Sequence, residues 1–361
     1  MAQAGSVGQG GSAAQGGTTA GGSGAAGGGA GGGTPGPVGP RFIGRFDFST
    51  PATPAFAWSG TAISLRFRNT QIGVTLSDGG NNVFEVVIDG VHSQLTTTSG
   101  ANHYTLATGL TDAPHEVLLQ RRTEAFWGET QFHGYDVDQT RLLPGAPVPT
   151  RRLEVIGDSI SAGYGNEGAL PCMFEAKTEN QYLTYAAIAA RALQADLHSE
   201  AWSGIGMLRN NGGETTGTMP ERYARTLPER ADSVWDFSKY VPHAVVINLA
   251  TNDFAKGDPG APFQSTYLKF VADLRGHYPA ARFFLAVGTM LSGPDYAKTV
   301  TYLKAVIAAR AAVGDSNLTL LELGSQDGQA DGLGCDYHPS LKTHQKMADK
   351  LVAALKADLG W

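Results

Sequence analysis

The sequence predicts two domains: a small β-sandwich of jelly-roll type, followed by a three-layer αβα domain built on a parallel sheet. Between residues 41 and 146, short stretches alternate apolar and polar residues and are separated by turn signals, which is typical of antiparallel sheets. From residue 151 to residue 361, short apolar runs alternate with segments that are apolar at helical spacing. This second pattern favours a parallel sheet that is covered by helices on both faces.

The strands of the first domain follow from period-two alternation. They are predicted at residues 62–68, 72–77, 82–90 and 115–122. The third of these runs into an Asp-Gly turn, and no long helical period interrupts the domain. A proline-rich joint at 142–150 separates this domain from the next.

The elements of the second domain alternate along the chain. Strands are predicted at 152–156, 195–201, 243–249, 282–287 and 318–323, and helices near 180–193, 262–277, 295–313 and 341–355. In a parallel sheet all strands end at the same edge, so residues just after each strand are expected to meet there.

Residues 1–40 form a low-complexity segment of Gly, Ala, Ser, Gln and Thr that ends in several prolines. Such a composition buries too little apolar surface to offset the entropy of ordering, so we expect a disordered tail or linker. Its start has neither a basic nor an apolar region, so it does not resemble a signal peptide. A flexible tether would let the domains reach an insoluble or surface-bound substrate.

The overall composition excludes some functions. The formal net charge is −6, which argues against general affinity for nucleic acid because phosphate binding requires clustered Lys and Arg. No run of about 18 apolar residues predicts a membrane span. Cys172 and Cys335 are too few for a metal site. A disulfide between them would fit an exported protein, and two free thiols would fit a cytoplasmic one.

A serine follows the first strand of the second domain. Ser159 lies in Gly-Asp-Ser-Ile at 157–160, and the glycine-rich residues 161–165 cannot continue the strand. A serine on a tight turn at a strand end is where α/β folds place nucleophiles. The alternative is that Ser159, or Asp158 beside it, only caps a helix or turn.

Three further residues follow other strand ends. Gly204 follows the strand at 195–201, Asn252 follows the strand at 243–249, and His338 precedes the last helix. A histidine can act as the general base of Ser159, while a backbone N–H at Gly204 and the amide of Asn252 can hold an oxyanion. The alternatives are a turn glycine, an Asx turn or helix cap, and a solvated loop histidine.

The order Ser, Gly, Asn, His along residues 151–361 resembles the SGNH (GDSL-like) hydrolase superfamily. With the predicted β-sandwich in front, the chain is most similar to carbohydrate esterase family 2, whose members couple these two domains. The stretches 165–168, 178–182 and 334–339 look like that family too.

The resemblance implies a serine esterase that removes O-acetyl groups from plant cell-wall polysaccharides or oligosaccharides. Ser159 would form the acetyl-enzyme, His338 would be the base, and the N–H groups of Ser159 and Gly204 with the Asn252 amide would bind the oxyanion. It implies no metal or organic cofactor and a secreted or cell-surface tethered protein. A lipid or general acyl esterase and a carbohydrate-binding protein with a vestigial hydrolase domain are the alternatives.

The chain departs from the superfamily pattern at two positions. Ala250 stands where the third block usually begins with glycine, and we expect its methyl group only to adjust the turn. Cys335 stands where the triad aspartate usually precedes the histidine by three residues, and Asp336 comes next. The histidine is therefore oriented either by a backbone carbonyl, as in some members of family 2, or by Asp336 as a third triad member.

Two other features bear on this site. We hypothesise a disulfide between Cys172 and Cys335, which would join the loop after Ser159 to the loop of His338. Trp127, Tyr164 and Trp202 are aromatic residues that could stack on a sugar or simply belong to the core.

Overall fold

The computed structural model describes residues 35–361, so the first 34 residues of the predicted tail lie outside the described residues. The N-terminal domain consists of two antiparallel sheets. Its strands are β1 (Arg41–Ile43), β2 (Ala55–Phe56), β3 (Ala62–Arg68), β4 (Gln71–Asp78), β5 (Val83–Ile88), β6 (Val91–Thr96), β7 (Gly100–Thr108), β8 (Pro114–Arg121) and β9 (Thr130–Tyr135). The sheet orders are β1-β3-β8-β5-β6 and β2-β9-β4-β7, and apolar side chains of both sheets form one core.

Four of these strands, β3, β4, β5 and β8, correspond to the predicted ones, and five were missed. β6 is mostly exposed and polar, with the sequence Val-His-Ser-Gln-Leu-Thr, and β2 is only two residues long. Edge strands and short strands such as these show little alternation of apolar and polar residues, because hydrogen bonding to neighbouring strands rather than burial of side chains defines them.

The C-terminal domain has a five-stranded parallel sheet of order β11-β10-β12-β13-β14. The strands are β10 (Arg151–Gly157), β11 (Ala195–Ala201), β12 (Ala244–Asn248), β13 (Arg282–Val287) and β14 (Leu318–Glu322). The helices are α1 (Ser159–Ala162), α2 (Tyr185–Ala192), α3 (Met219–Arg222), α4 (Thr251–Phe254), α5 (Ala261–His277), α6 (Gly293–Ala312), α7 (Gly328–Asp331) and α8 (Leu341–Leu359). The predicted αβα architecture is confirmed.

Successive side chains of β12 point to opposite faces of the sheet, which explains the three layers. Val245 and Ile247 belong to the core shared with α5 and α6, while Ala244 and Val246 belong to the core shared with α2 and α8. Both faces of the strand are therefore buried, which accounts for its uninterrupted apolar sequence.

The helix predicted near residues 180–193 begins later than expected. A single 3₁₀ turn, Gln181–Leu183, precedes α2, and the Thr184 side chain accepts a hydrogen bond from the Ala187 N–H at 3.4 Å. Threonine is a favourable helix N-cap, so α2 starts at Tyr185. Within residues 35–361 no helix is both long and apolar enough to cross a membrane.

The two domains share a buried junction. Trp58 of the sandwich lies in the same apolar core as Trp202 and Ile205 of the C-terminal domain. Arg45 of the sandwich is fully buried, and its guanidinium lies 3.2 Å from Glu154 on β10 and 3.0 Å from Glu200 on β11. This junction holds the loops of the sandwich at a defined place beside the parallel sheet.

Candidate active site

Ser159 lies at the carboxyl end of β10, an interior strand of the sheet, as the first residue of α1. The Asp158 side chain caps α1 by accepting a hydrogen bond from the Ile160 N–H at 3.0 Å. A Cβ atom at Gly157 would come within 2.1 Å of Ser161 Oγ, so the turn is too tight for any other residue. The strand therefore ends at this turn, and Ser159 lies at the edge of the sheet.

His338 reaches Ser159 from the loop between α7 and α8. Its Nε2 lies 2.9 Å from Ser159 Oγ, and its Nδ1 lies 3.2 Å from the backbone carbonyl oxygen of Asp336. A carbonyl only accepts, so Nδ1 carries the proton and Nε2 presents its lone pair to the serine hydroxyl. This is the arrangement of a nucleophile with an oriented general base.

The Asp336 carboxylate has other partners. Its Oδ2 accepts hydrogen bonds from the Tyr164 hydroxyl and the Phe174 N–H, both at 3.0 Å. Asp336 and Tyr337 both adopt positive φ, 48° and 64°, and this turn directs the Asp336 carbonyl rather than its side chain to the imidazole. In this structure the backbone carbonyl of Asp336, and not its carboxylate, orients His338, in contrast to the triad alternative.

Replacing Asp336 with asparagine is therefore expected to lower kcat by less than about tenfold. Asparagine tolerates positive φ and keeps the carbonyl that orients His338, whereas loss of a true triad acid costs about 10⁴-fold. The measurement is the steady-state hydrolysis of 4-nitrophenyl acetate by both proteins. A loss of a thousandfold or more would show that the carboxylate takes part in catalysis.

A disulfide joins Cys172 to Cys335, with the two Cα atoms 4.7 Å apart. The Asp336 N–H donates to the Cys172 carbonyl at 3.1 Å, so backbone contacts reinforce the bond. A Cβ atom at Gly168 would come within 2.2 Å of Cys335 Sγ, which shows how closely the two loops pack. The loop that follows Ser159 and the loop that carries His338 are therefore tied together.

The strands that flank β10 supply the remaining predicted site residues. Gly157 at the end of β10 is in register with Ala201 on β11 and with Asn248 on β12, so Gly204 and Asn252 follow at the same edge. Within the described residues, neither the Ser159 N–H nor the Gly204 N–H has a hydrogen-bond acceptor. Both groups are thus available for a ligand.

Asn252 is held by the same loop that carries Gly204. Its Nδ2 donates to the Ile205 carbonyl oxygen at 2.9 Å, and the residue is buried. One bond through Nδ2 fixes the amide and leaves its second N–H for another acceptor.

Asp253, the next residue, was not singled out from the sequence. Its carboxylate accepts from the backbone N–H groups of Met207 at 2.9 Å, Leu208 at 2.7 Å and Arg209 at 3.0 Å. These partners follow a different strand, so no local pattern indicates the contact. Asp253 organises the loop beyond Gly204.

Ala250 affects the backbone more than was expected from one methyl group. Ala250 is buried and its backbone has φ 143°, a conformation that residues other than glycine rarely adopt. The expectation that the methyl only adjusts the turn is therefore too mild. Alanine at this position places strain directly before α4, the helix that carries Asn252.

Comparison with known proteins agrees with this arrangement. The family description "Carbohydrate esterase 2 N-terminal" matches residues 42–147, and "GDSL-like Lipase/Acylhydrolase family" matches residues 155–346. The structure of a family two carbohydrate esterase from Clostridium thermocellum, in complex with cellohexaose, superposes with a TM-score of 0.86 at 41% identity. That match covers 90% of this chain and 100% of the other. The chain belongs to carbohydrate esterase family 2.

Two curated relatives support the assignment to carbohydrate esterase family 2. The cellulase/esterase CelE of Acetivibrio thermocellus is 43% identical over 327 residues, which are 89% of this chain but only 39% of CelE. An acetylxylan esterase / glucomannan deacetylase of Cellvibrio japonicus is 26% identical over 88% of both proteins. The chain thus spans about two fifths of the first relative and most of the second.

The three aromatic residues of this family 2 member, for which the sequence left sugar stacking and core packing open, lie in different surroundings. The ring centroid of Tyr164 lies 3.9 Å from that of Phe174 and 4.2 Å from that of His338, so Tyr164 packs within the site. Trp202 is buried. Tyr164 and Trp127 are both partly exposed, and Phe126, next to Trp127, is 41% exposed. The sequence did not indicate Phe126, because it lies on a loop of the sandwich domain.

Burial controls the basicity of His338. Desolvation lowers the pKa of its imidazole below the ordinary value of 6.5, although the Asp336 and Cys335 carbonyls and the Asp336 charge oppose this. Within residues 35–361, no group of three or more His, Cys, Asp or Glu residues could hold a metal ion.

The lowered pKa of His338 predicts the pH dependence of hydrolysis. The base must be neutral, and a lower pKa keeps it neutral as the pH falls. The acid limb of kcat/KM for 4-nitrophenyl acetate is therefore expected to have its midpoint below pH 6.5. A profile from about pH 4.5 to 8 tests this, and a midpoint above 6.5 would contradict it.

Proposed function

We propose that this chain removes O-acetyl groups from plant cell-wall polysaccharides or their oligosaccharides, through an acetyl-enzyme on Ser159. The observation that carries the proposal is the 2.9 Å contact between Ser159 Oγ and His338 Nε2, with Nδ1 on a backbone carbonyl. The names of its relatives support the substrate class. The Cellvibrio japonicus protein is called an acetylxylan esterase / glucomannan deacetylase, and the Clostridium thermocellum structure contains cellohexaose.

The first half of the reaction forms the acetyl-enzyme. Ser159 Oγ attacks the carbonyl carbon of the acetyl ester while His338 Nε2 accepts the hydroxyl proton. The N–H groups of Ser159 and Gly204 and the Asn252 amide stabilise the negative oxygen of the tetrahedral intermediate. His338 then gives its proton to the departing sugar oxygen, and the carbon–oxygen bond to the sugar breaks.

The second half releases acetate. His338 Nε2 takes a proton from a water molecule, whose oxygen attacks the acetyl carbonyl carbon in the same oxyanion site. The intermediate collapses, the bond to Ser159 Oγ breaks, and His338 returns the proton to that oxygen. Throughout, Nδ1–H stays on the Asp336 carbonyl, which keeps the ring oriented and favours the imidazolium while it exists.

The disulfide also bears on where the protein works. The Cys172–Cys335 bond joins the loop that follows the nucleophile to the loop that carries the base. Disulfides persist in oxidising surroundings, and the cytoplasm keeps most thiols reduced. We therefore propose a secreted or cell-surface location, which matches an insoluble, extracellular substrate. Cell fractionation of the producing organism tests this proposal.

The decisive experiment is acetate release from acetylated xylan, acetylated glucomannan and their oligosaccharides, resolved by sugar position. Acetate release from one or both polymers is expected. A parallel series of aryl esters with acyl chains of increasing length should show activity falling steeply beyond acetyl. Flat or rising activity with chain length would instead favour a general or lipid acyl esterase. Polysaccharide binding without acetate release would favour a carbohydrate-binding protein with a vestigial hydrolase domain.

A further inference from the structure

A carboxylate of the sandwich domain contacts the loop that carries Gly204. Glu124 lies between β8 and β9 and is completely buried. Both of its carboxylate oxygens accept hydrogen bonds from Ser203, one from the backbone N–H and one from the hydroxyl. Ser203 directly precedes Gly204, whose N–H faces no acceptor in the described part of the chain.

We propose that Glu124 is a positioning residue for the oxyanion site, through which the sandwich domain takes part in the reaction of the C-terminal domain. The inference rests on the proposed function, because it assumes that Gly204 stabilises an oxyanion. Glu124 itself touches Ser203 and not the reacting atoms.

The loop from 202 to 209 is held by several contacts. The Gly204 carbonyl accepts a hydrogen bond from the Asn211 N–H at 2.9 Å, and the Trp202 N–H donates to the Gly157 carbonyl at 3.1 Å. Asp253 holds its far end through three backbone N–H groups, and Asn252 holds the Ile205 carbonyl. Both of these anchors belong to α4. Glu124 contacts Ser203, the residue directly before Gly204, and belongs to the other domain. Without it, the Ser203 N–H and hydroxyl would lose their acceptor, and the peptide between Ser203 and Gly204 would be less restrained, since Gly204 has φ 77° and carries no side chain.

The groups around Glu124 favour the carboxylate that accepts hydrogen bonds from Ser203. Burial raises the pKa of its neighbour Glu179 well above the usual range, and the nearby Glu124 charge raises it further. Burial also raises the pKa of Glu124, but hydrogen bonds from Glu179 and Ser203 and the Arg121 charge oppose that rise, so the surroundings favour the carboxylate form of Glu124 more than that of Glu179. The Arg121 guanidinium, which donates to the Glu124 carbonyl at 2.8 Å, supplies a compensating positive charge.

The remaining contacts of Glu124 keep its backbone in place. Its N–H donates to Glu179 Oε2 at 3.2 Å. Arg122, two residues earlier, donates to the Glu179 carbonyl at 3.1 Å. The backbone of this segment is therefore fixed to the C-terminal domain independently of the contact between the Glu124 side chain and Ser203. A group with a fixed backbone can hold a neighbouring donor in its productive orientation.

The test compares Glu124→Ala and Glu124→Gln with the unchanged chain, using 4-nitrophenyl acetate. Complete loss of one oxyanion donor costs about 10²- to 10³-fold in kcat, so a loosened donor is expected to cost about 10- to 100-fold in Glu124→Ala. Because an oxyanion donor acts in the transition state rather than on the bound ester, KM should change by less than about threefold. Glu124→Gln retains one acceptor oxygen for the Ser203 N–H and should recover part of the lost kcat.

Glu129→Gln is the matched control. Glu129 lies on the same segment of the sandwich and pairs with Arg230 of the C-terminal domain, but this ion pair is partly exposed, and within the described residues Glu129 has no hydrogen bond to Ser203. Its loss should leave kcat within about twofold. Ser203→Ala removes only the hydroxyl contact and should cost a smaller factor than Glu124→Ala, which keeps the inference testable even where Glu124→Ala folds poorly.

A double-mutant cycle with Asn252→Ala separates positioning from general destabilisation. Glu124 and Asn252 act on one oxyanion site, so the combined loss in kcat should be smaller than the product of the separate losses. Multiplied losses, an effect on KM alone, or an unchanged kcat in Glu124→Ala and Ser203→Ala would each overturn the inference. An unchanged chain that fails to hydrolyse the ester would instead contradict the proposed function.

Discussion

Replacing Ser159 with alanine is expected to lower kcat for 4-nitrophenyl acetate by about 10⁴- to 10⁶-fold, down to the residual rate that a binding site without a nucleophile provides. The substitution removes Ser159 Oγ, which lies 2.9 Å from His338 Nε2, and within the described residues no other hydroxyl forms a hydrogen bond with that nitrogen. The same variant should release no acetate from acetylated polysaccharide. Steady-state kinetics and product analysis measure both effects.

Ser161→Ala is the control for this prediction. Ser161 lies in the same short helix α1, but its hydroxyl contacts the Tyr185 hydroxyl at 2.9 Å and not His338. We expect nearly full activity and a stability loss of about 1 kcal/mol, the usual net value of a buried hydrogen bond. Circular dichroism should show that Ser159→Ala remains folded. Substantial activity in a folded Ser159→Ala protein would refute the proposed mechanism.

Replacing Arg45 with alanine is expected to lower the free energy of unfolding by about 3–5 kcal/mol. The Arg45 guanidinium is fully buried between Glu154 and Glu200, at 3.2 Å and 3.0 Å. Its removal leaves both carboxyl groups in the interior without their cation. The pKa of Glu200 is already raised by burial, with the arginine opposing the shift. Denaturant unfolding followed by fluorescence measures the loss.

Arg41→Ala provides the comparison. Arg41 also belongs to the sandwich and pairs with Asp196 of the C-terminal domain at 2.7 Å, but both side chains are partly exposed. Ion pairs in contact with water contribute only about 0–1 kcal/mol, so this variant should unfold almost like the unchanged chain. Equal losses in the two variants would show that burial of Arg45 is not what makes its ion pairs important for stability.

Much of the site could be predicted from the sequence because it lies at strand ends. The apolar runs that become β10, β11 and β12 are visible as such, and polar residues or glycine directly after them must lie at one edge of a parallel sheet. The structure places Ser159 and His338 in direct contact there. Weakly patterned strands such as β6 were missed, since pairing rather than side-chain burial defines them.

Other features depended on contacts between distant parts of the chain. Asp253 accepts from N–H groups more than 40 residues earlier, and Glu124 reaches Ser203 across the domain junction. Nothing in the local sequence around either carboxylate distinguishes it from a solvated surface residue. The alternatives for His338 also stayed open, because the spacing of Asp336 does not reveal which of its oxygens faces the imidazole.

The sequence by itself determined the two-domain architecture, the family and the residues that meet at the sheet edge. Periodicity and short motifs encode these, since each depends only on neighbours along the chain. Only the tertiary structure decided that a carbonyl orients His338, that Ala250 sits on a backbone with positive φ, and that a carboxylate of the sandwich binds the loop of Gly204. Those features depend on backbone angles and on contacts between distant parts of the chain, which no local stretch of sequence specifies.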